Sequence, residues 1–126
     1  MCESLIYIDD NEYEHIIVES LVKAYTNCKN VTFFLNGRDA LQWLEKNKAN
    51  ADKLPDVMLV DIFMPEFSGW DFLDEFKNMY PTLSKKIKVY VLSSTIDRKD
   101  IERSKKYSFV ASCLTKPLTQ SMVKNF

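Results

Sequence analysis

Glycine is scarce in this sequence, with only Gly37 and Gly69 among 126 residues. A phosphate-cradling loop needs several glycines at fixed spacing, so neither a P-loop nor a GxGxxG turn is present. Cysteine is sparse and odd in number. Cys2, Cys28 and Cys113 show no CxxC spacing, which argues against a zinc site or a disulfide framework and predicts reduced thiols. The single histidine, His15, falls mid-helix with no partner visible in the sequence, so a structural role is expected rather than that of a base or phosphodonor. No apolar run is long enough to span a bilayer. The opening Met-Cys-Glu-Ser lacks the basic and apolar regions of a signal peptide. A cytoplasmic protein without a membrane partner is the expectation. Excess charge is missing too: 17 Lys+Arg stand against 18 Asp+Glu, which excludes the broadly basic surface that nucleic-acid binding requires. The small basic clusters Lys85, Lys86, Lys88 and Arg103, Lys105, Lys106 read as solvated faces.

What remains is an ordinary globular mixture, 46% hydrophobic and 28% charged, in a length that suits one domain. A chain of this size buries roughly two-thirds of its unfolded surface and can stand without cross-links. Short apolar runs alternate with longer amphipathic segments. Leu5–Ile8 reads as a buried strand that stops at Asp9-Asp10. Residues 11–25 carry helical spacing, with Tyr13, Ile17, Leu21 and Ala24 on one line and Val18, Val22 and Tyr25 beside it. Val31–Leu35 is β-branched and aromatic, hence a strand. Arg38–Lys46 is amphipathic through Ala40, Leu41, Trp43 and Leu44. Val57–Val60 is the most apolar strand, reads as central, and stops at Asp61. Pro65 and Gly69 mark a loop, Trp70–Met79 is helical, and Pro81 ends that helix. Ile87–Leu92 stops at Ser93-Ser94. A polar helix follows around Asp97–Lys106, with Asp97 as its N-cap. Phe109–Leu114 is a fifth strand ending at Lys116-Pro117, and Leu118–Phe126 has room for one short helix.

Five strands alternating with five helices predict an α/β fold: a parallel sheet with helices on both faces and right-handed crossovers. Ligands of such sheets bind beyond the carboxyl ends of the strands. There the sequence places Asp9 and Asp10, Asp61, Ser93 and Lys116. Three converging carboxylates repel one another. A hard cation such as Mg²⁺ resolves that conflict, and it takes a few carboxylates, waters and a phosphate oxygen. With a lysine and a small hydroxyl opposite, the implied chemistry is phosphoryl transfer to or from one carboxylate.

The ordered set Asp9-Asp10, Asp61 in Asp-Ile-Phe-Met-Pro-Glu-Phe-Ser-Gly, Ser93 in Val-Leu-Ser-Ser, and Lys116-Pro117 resembles the receiver domain of two-component response regulators along essentially the whole chain. The resemblance implies a CheY-like, flavodoxin-like doubly wound sheet of strand order 2-1-3-4-5, and a single receiver domain over residues 1–126 with no output domain. It implies that Asp61 takes a phosphoryl group from a sensor histidine kinase or histidine phosphotransfer protein. Asp10 and Asp61 would hold Mg²⁺ with the carbonyl of Phe63, and Asp9 would help through water. Lys116 would pair with the phosphoryl oxygens and Ser93 would hydrogen-bond them. Lys116-Pro117 is commonly cis in the family. Output would pass to a protein target or onward along a phosphorelay, without direct nucleic-acid contact, and homodimerisation on phosphorylation stays open. The domain would turn over no external substrate.

The sequence departs from the family pattern at Cys113, three residues before the lysine, where an aromatic usually couples to the hydroxyl of Ser93. Phe63 and Thr95, each two residues beyond a site residue, flank the path of a hydrolytic water and are expected to set the lifetime of the phosphorylated state. Cys113 itself reads as a small buried hydrophobe. A dehalogenase-type phosphatase would need a second aspartate where Phe63 stands. A non-phosphorylated receiver-like interaction module is the more serious rival, favoured by Cys113 and opposed by the intact acidic residues and lysine.

Overall fold

The computed structural model describes residues 2–126. Its elements are β1 (Ser4–Ile8), α1 (Glu12–Tyr25), β2 (Asn30–Phe34), α2 (Gly37–Asn47), β3 (Val57–Asp61), α3 (Gly69–Met79), β4 (Lys88–Ser93), α4 (Arg98–Ser104), β5 (Val110–Thr115) and α5 (Gln120–Val123). A 3₁₀ turn over Tyr80–Thr82 carries Pro81 and closes α3. All strands run parallel in the order β2-β1-β3-β4-β5, as expected. No helix among the described residues is long and apolar enough to cross a membrane.

The period-two alternation of the strands divides the interior into two layers. Ile6, Ile8, Met58, Val60, Val89 and Val91 face Ala40 and Leu44 of α2 and Phe72, Leu73 and Phe76 of α3. Leu5, Tyr7, Val57, Leu59, Tyr90 and Leu92 face Val18 and Val22 of α1 and Val123 of α5. Every residue of β3 is buried, which makes it the central strand. Helix starts are set by side-chain caps: Asn11, Asn36 and Thr119 each accept from a backbone N–H of the first turn. Ser68 with Asp71 and Asp97 with Asp100 form reciprocal capping boxes, each cap contributing about 1 kcal/mol.

Several expectations need correction. Helix α1 turns His15, Val18 and Val22 inward, while Tyr13 is 77% and Ile17 52% exposed. Those two lie roughly a third to nearly half a turn from the Val18–Val22 line and cannot share its face. The strand ends also move by about a residue, because the hydrogen-bond ladder and the apolar run do not coincide. Thus β2 ends at Phe34 and leaves Leu35 exposed.

The predicted reduced thiols are a further correction, since Cys2 and Cys28 are joined as a disulfide with Cα atoms 5.1 Å apart. The cause lies in register. Ser4 pairs with Asn30 across β1 and β2, so the residues two places upstream on each chain meet as well. Among the described residues Cys113 is the free cysteine.

Candidate phosphoacceptor site

Parallel strands bring their carboxyl ends to one edge, and there Asp9, Asp10 and Asp61 place carboxylate oxygens within 4.8 Å of one another. Asp9 and Asp61 are buried and Asp10 is exposed. Lys116, directly after β5, sends Nζ to 2.7 Å from Asp9 Oδ2 and 3.5 Å from Asp61 Oδ1. Its backbone N–H donates to the carbonyl of Ser93 at 2.8 Å, which docks the end of β5 against β4. The Lys116-Pro117 bond is cis.

Asp9 is the most heavily tied of the three. Its Oδ2 also accepts from the Tyr7 hydroxyl, and its Oδ1 accepts from the Asn11 N–H at 3.0 Å. Burial opposes its charge, but Lys116, the Tyr7 hydroxyl and the Asn11 N–H outweigh it and hold the carboxyl below its usual range. Asp61 shows the opposite balance. Burial and the neighbouring Asp9 charge push it up to about 6, against the pull of Lys116 and the Phe63 N–H. Burial likewise disfavours the Lys116 ammonium, yet Asp9 and Asp61 raise its pKa.

Three carboxylates facing one ammonium are an electrostatic conflict, and Asp61 carries the strain of it. This donor set fits a hard divalent cation: oxygen ligands only, with one carboxylate open to water. Asp9, Asp10 and Asp61 are the groups that would hold a cation such as Mg²⁺. Such an ion would supply the positive charge that relieves the repulsion among the carboxylates.

Four of the five expected side chains are thus brought together, and the hydroxyl of the fifth, Ser93, is engaged within its own segment. Ser93 is buried at the end of β4, but its hydroxyl donates to the Thr95 carbonyl at 2.7 Å and accepts from the Thr95 N–H at 3.3 Å. This local turn satisfies the hydroxyl within its own segment. Thr95 is exposed, and Phe63 is 64% exposed. Cys113 sits opposite Val91 on β5, half-buried rather than fully buried, against the α2/α3 layer. Gly69 is required where it stands. A Cβ there would lie 2.4 Å from the carbonyl oxygen of Asp61 and 2.8 Å from Ile62 Cα.

Sequence reasoning missed two groups behind the site. Tyr7 shares the strand parity of Asp9, a signal present but unread. His15 packs against Tyr7 and stacks on Phe33, and its Nε2 lies 2.7 Å from the Asp9 carbonyl. A carbonyl can only accept, so Nε2 carries the proton. His15 is structural, as expected, but its partner is the backbone of a site residue.

A parallel sheet with helices on both faces, and an acidic cluster and a lysine at its carboxyl edge, defines a class of doubly wound α/β proteins. Within that class, residues 5–125 match the response regulator receiver domain, and the chain belongs to this family. A Treponema denticola protein-glutamate methylesterase/protein-glutamine glutaminase is 34% identical over 90 residues, 71% of this chain and 22% of that protein. A two-component response regulator from Cytophaga hutchinsonii is 25% identical, with a TM-score of 0.89 over 98% of this chain and 92% of its own. The fold is shared with the receiver domain of an Arabidopsis thaliana histidine kinase complexed with Mg²⁺, at 18% identity and a TM-score of 0.81 over 95% and 87% of the two chains. The chain thus spans about a fifth of the methylesterase it matches.

Proposed function

We propose that this receiver domain accepts a phosphoryl group on Asp61 from a sensor histidine kinase or a histidine phosphotransfer protein, in a Mg²⁺-dependent reaction. The observation that carries the reading is the setting of Asp61: buried at the end of the central strand, beside Asp9 and Asp10, with Lys116 Nζ at 3.5 Å. An Asp61 carboxylate oxygen forms the bond to phosphorus while the bond to the donor imidazole nitrogen breaks. The imidazole leaves with the electron pair and is reprotonated from solvent. Lys116 meets the phosphoryl oxygens, and Ser93 turns its hydroxyl from Thr95 to join it. Phe63 and Thr95, both exposed, govern the approach of hydrolytic water. The phosphorylated domain signals by protein contact or passes the group on, and the shift acts on a pre-existing equilibrium of the loops after β3 and β4.

The test is intact-mass measurement after incubation with Mg²⁺ and acetyl phosphate. The expected result is one phosphate adduct, lost in Asp61→Asn and in a chelated sample. Absence of an adduct, with beryllofluoride also failing to bind, would favour the non-phosphorylated interaction module, for which Cys113 in place of an aromatic is the supporting observation.

A further inference from the structure

Tyr7 is fully buried on the strand face that ends in Asp9, and its hydroxyl donates to Asp9 Oδ2, the same oxygen that Lys116 Nζ reaches at 2.7 Å. Packing does not call for the hydroxyl. Leu5, two residues earlier on the same face, is equally enclosed with no polar atom, and phenylalanine would fill the space of the Tyr7 ring. The oxygen is present because Asp9 uses it.

We propose that Tyr7 is a positioning residue that lets Lys116 leave Asp9 for the phosphoryl group on Asp61. The inference rests on the reading of Asp61 as acceptor. In the structure Lys116 is closer to Asp9, at 2.7 Å, than to Asp61, at 3.5 Å. Phosphorylation replaces the single charge of the Asp61 carboxylate with about two negative charges spread over the phosphoryl oxygens and draws Nζ toward them. A buried carboxylate abandoned by its cation is strongly destabilised. Asp9 is not abandoned, since the Tyr7 hydroxyl and the Asn11 N–H still hold its two oxygens. His15, packed against Tyr7, fixes the Asp9 backbone through its carbonyl, so the carboxylate stays in place while its cation moves. Without the hydroxyl, Lys116 is held back on Asp9 and the phosphorylated state is reached less readily.

The test is Tyr7→Phe, which removes one oxygen and keeps the ring. Phosphorylation by acetyl phosphate is followed across donor concentrations, and Mg²⁺ and beryllofluoride affinities are measured by calorimetry. The limiting rate and the beryllofluoride affinity are each expected to fall about tenfold, the loss of one hydrogen bond to a charged group. Mg²⁺ affinity and half-saturating donor concentration stay within about twofold. If the Tyr7 hydroxyl has only a structural role, Y7F alters thermal stability and leaves rate and beryllofluoride affinity unchanged, which overturns the proposal while the acceptor reading stands. A wild-type protein that neither takes phosphate nor binds beryllofluoride overturns both. Should Y7F not fold, wild-type protein carrying ¹³C at tyrosine Cζ gives the answer. The Tyr7 resonance is expected to shift on beryllofluoride binding as its bond to Asp9 tightens, and an unmoved resonance overturns the proposal.

Discussion

Asp61→Asn should stabilise the metal-free domain at neutral pH, although it removes the group on which the proposed function turns. The ordinary carboxyl pKa is 3.8 and Asp61 lies at about 6, because burial and the Asp9 charge both resist its ionisation. A carboxyl raised on folding favours the neutral form. Its contribution is therefore fully present below the unfolded pKa and is lost as pH rises through about 6. Each pKa unit corresponds to about 1.4 kcal/mol, so the ceiling is about 3 kcal/mol. Water reaching the pocket past exposed Asp10 screens part of this, leaving about 1–2 kcal/mol. For a domain of this length that is a rise in Tm of about 4–10 °C. Asparagine matches the neutral acid in shape, so urea denaturation of both proteins at about pH 4 and about pH 7.5 isolates the charge. The variant should be the more stable at the higher pH and equal at the lower. Millimolar Mg²⁺ should close the gap by stabilising the wild type. A metal-free D61N that is less stable than wild type near neutrality would refute the reasoning, and would mean that the Asp61–Lys116 attraction exceeds the crowding of the carboxylates.

Other outcomes follow from local geometry. Gly69→Ala pushes a methyl group into the Asp61 carbonyl oxygen at 2.4 Å; it should cost about 2–4 kcal/mol by chemical denaturation and slow phosphorylation by displacing Asp61. Asp56 is held below the ordinary carboxyl range: burial opposes its charge, but Lys85 and the N–H groups of Glu3 and Ser4 outweigh burial. That stability is present above the unfolded pKa and lost as pH falls through the folded one, so Asp56→Asn should destabilise near neutrality and approach the wild type in acid melts. Unfolded without reductant, the described chain should take one alkyl group, at Cys113, and with reductant also at Cys2 and Cys28. Reduction of the 26-residue loop should lower stability by about 2–4 kcal/mol in urea titrations.

The features legible in the sequence are those that period and punctuation encode. Asp9-Asp10, Asp61 and Lys116 each end an apolar run, and parallel topology alone sends such residues to one edge. Capping at Asp97 was legible from residue type, an aspartate just ahead of a helical segment, and its reciprocal bond with Asp100 came only with the structure. What stayed hidden depends on register or on choice between faces. Cys2 and Cys28 are unremarkable until Ser4 is known to pair with Asn30. The α1 stripe offers two apolar lines, and only docking on β1 selects Val18 and Val22 over Tyr13 and Ile17. Ser93 ends its strand as expected, but the rotamer that commits its hydroxyl to Thr95 has no sequence signature.

The same parity that exposes the site also explains its electrostatics. Leu5, Tyr7 and Asp9 point to one side of β1, and Val57, Leu59 and Asp61 to the same side of β3, so the α1/α5 layer runs without interruption from aliphatic core to carboxylates. Asp9 and Asp61 thus emerge from a dry layer instead of a solvated loop. Burial heads the forces opposing the charge on both. The asymmetry between them lies in donors. Asp9 receives Tyr7, Lys116 and the Asn11 N–H, and it keeps its charge. Asp61 has the Phe63 N–H and a more distant Lys116, and its ionisation is resisted. The less satisfied of two neighbouring carboxylates is the one whose negative charge a new positive or electrophilic group benefits most. That physical difference, independent of family resemblance, is a second support for the proposal of Asp61 over Asp9 as the acceptor.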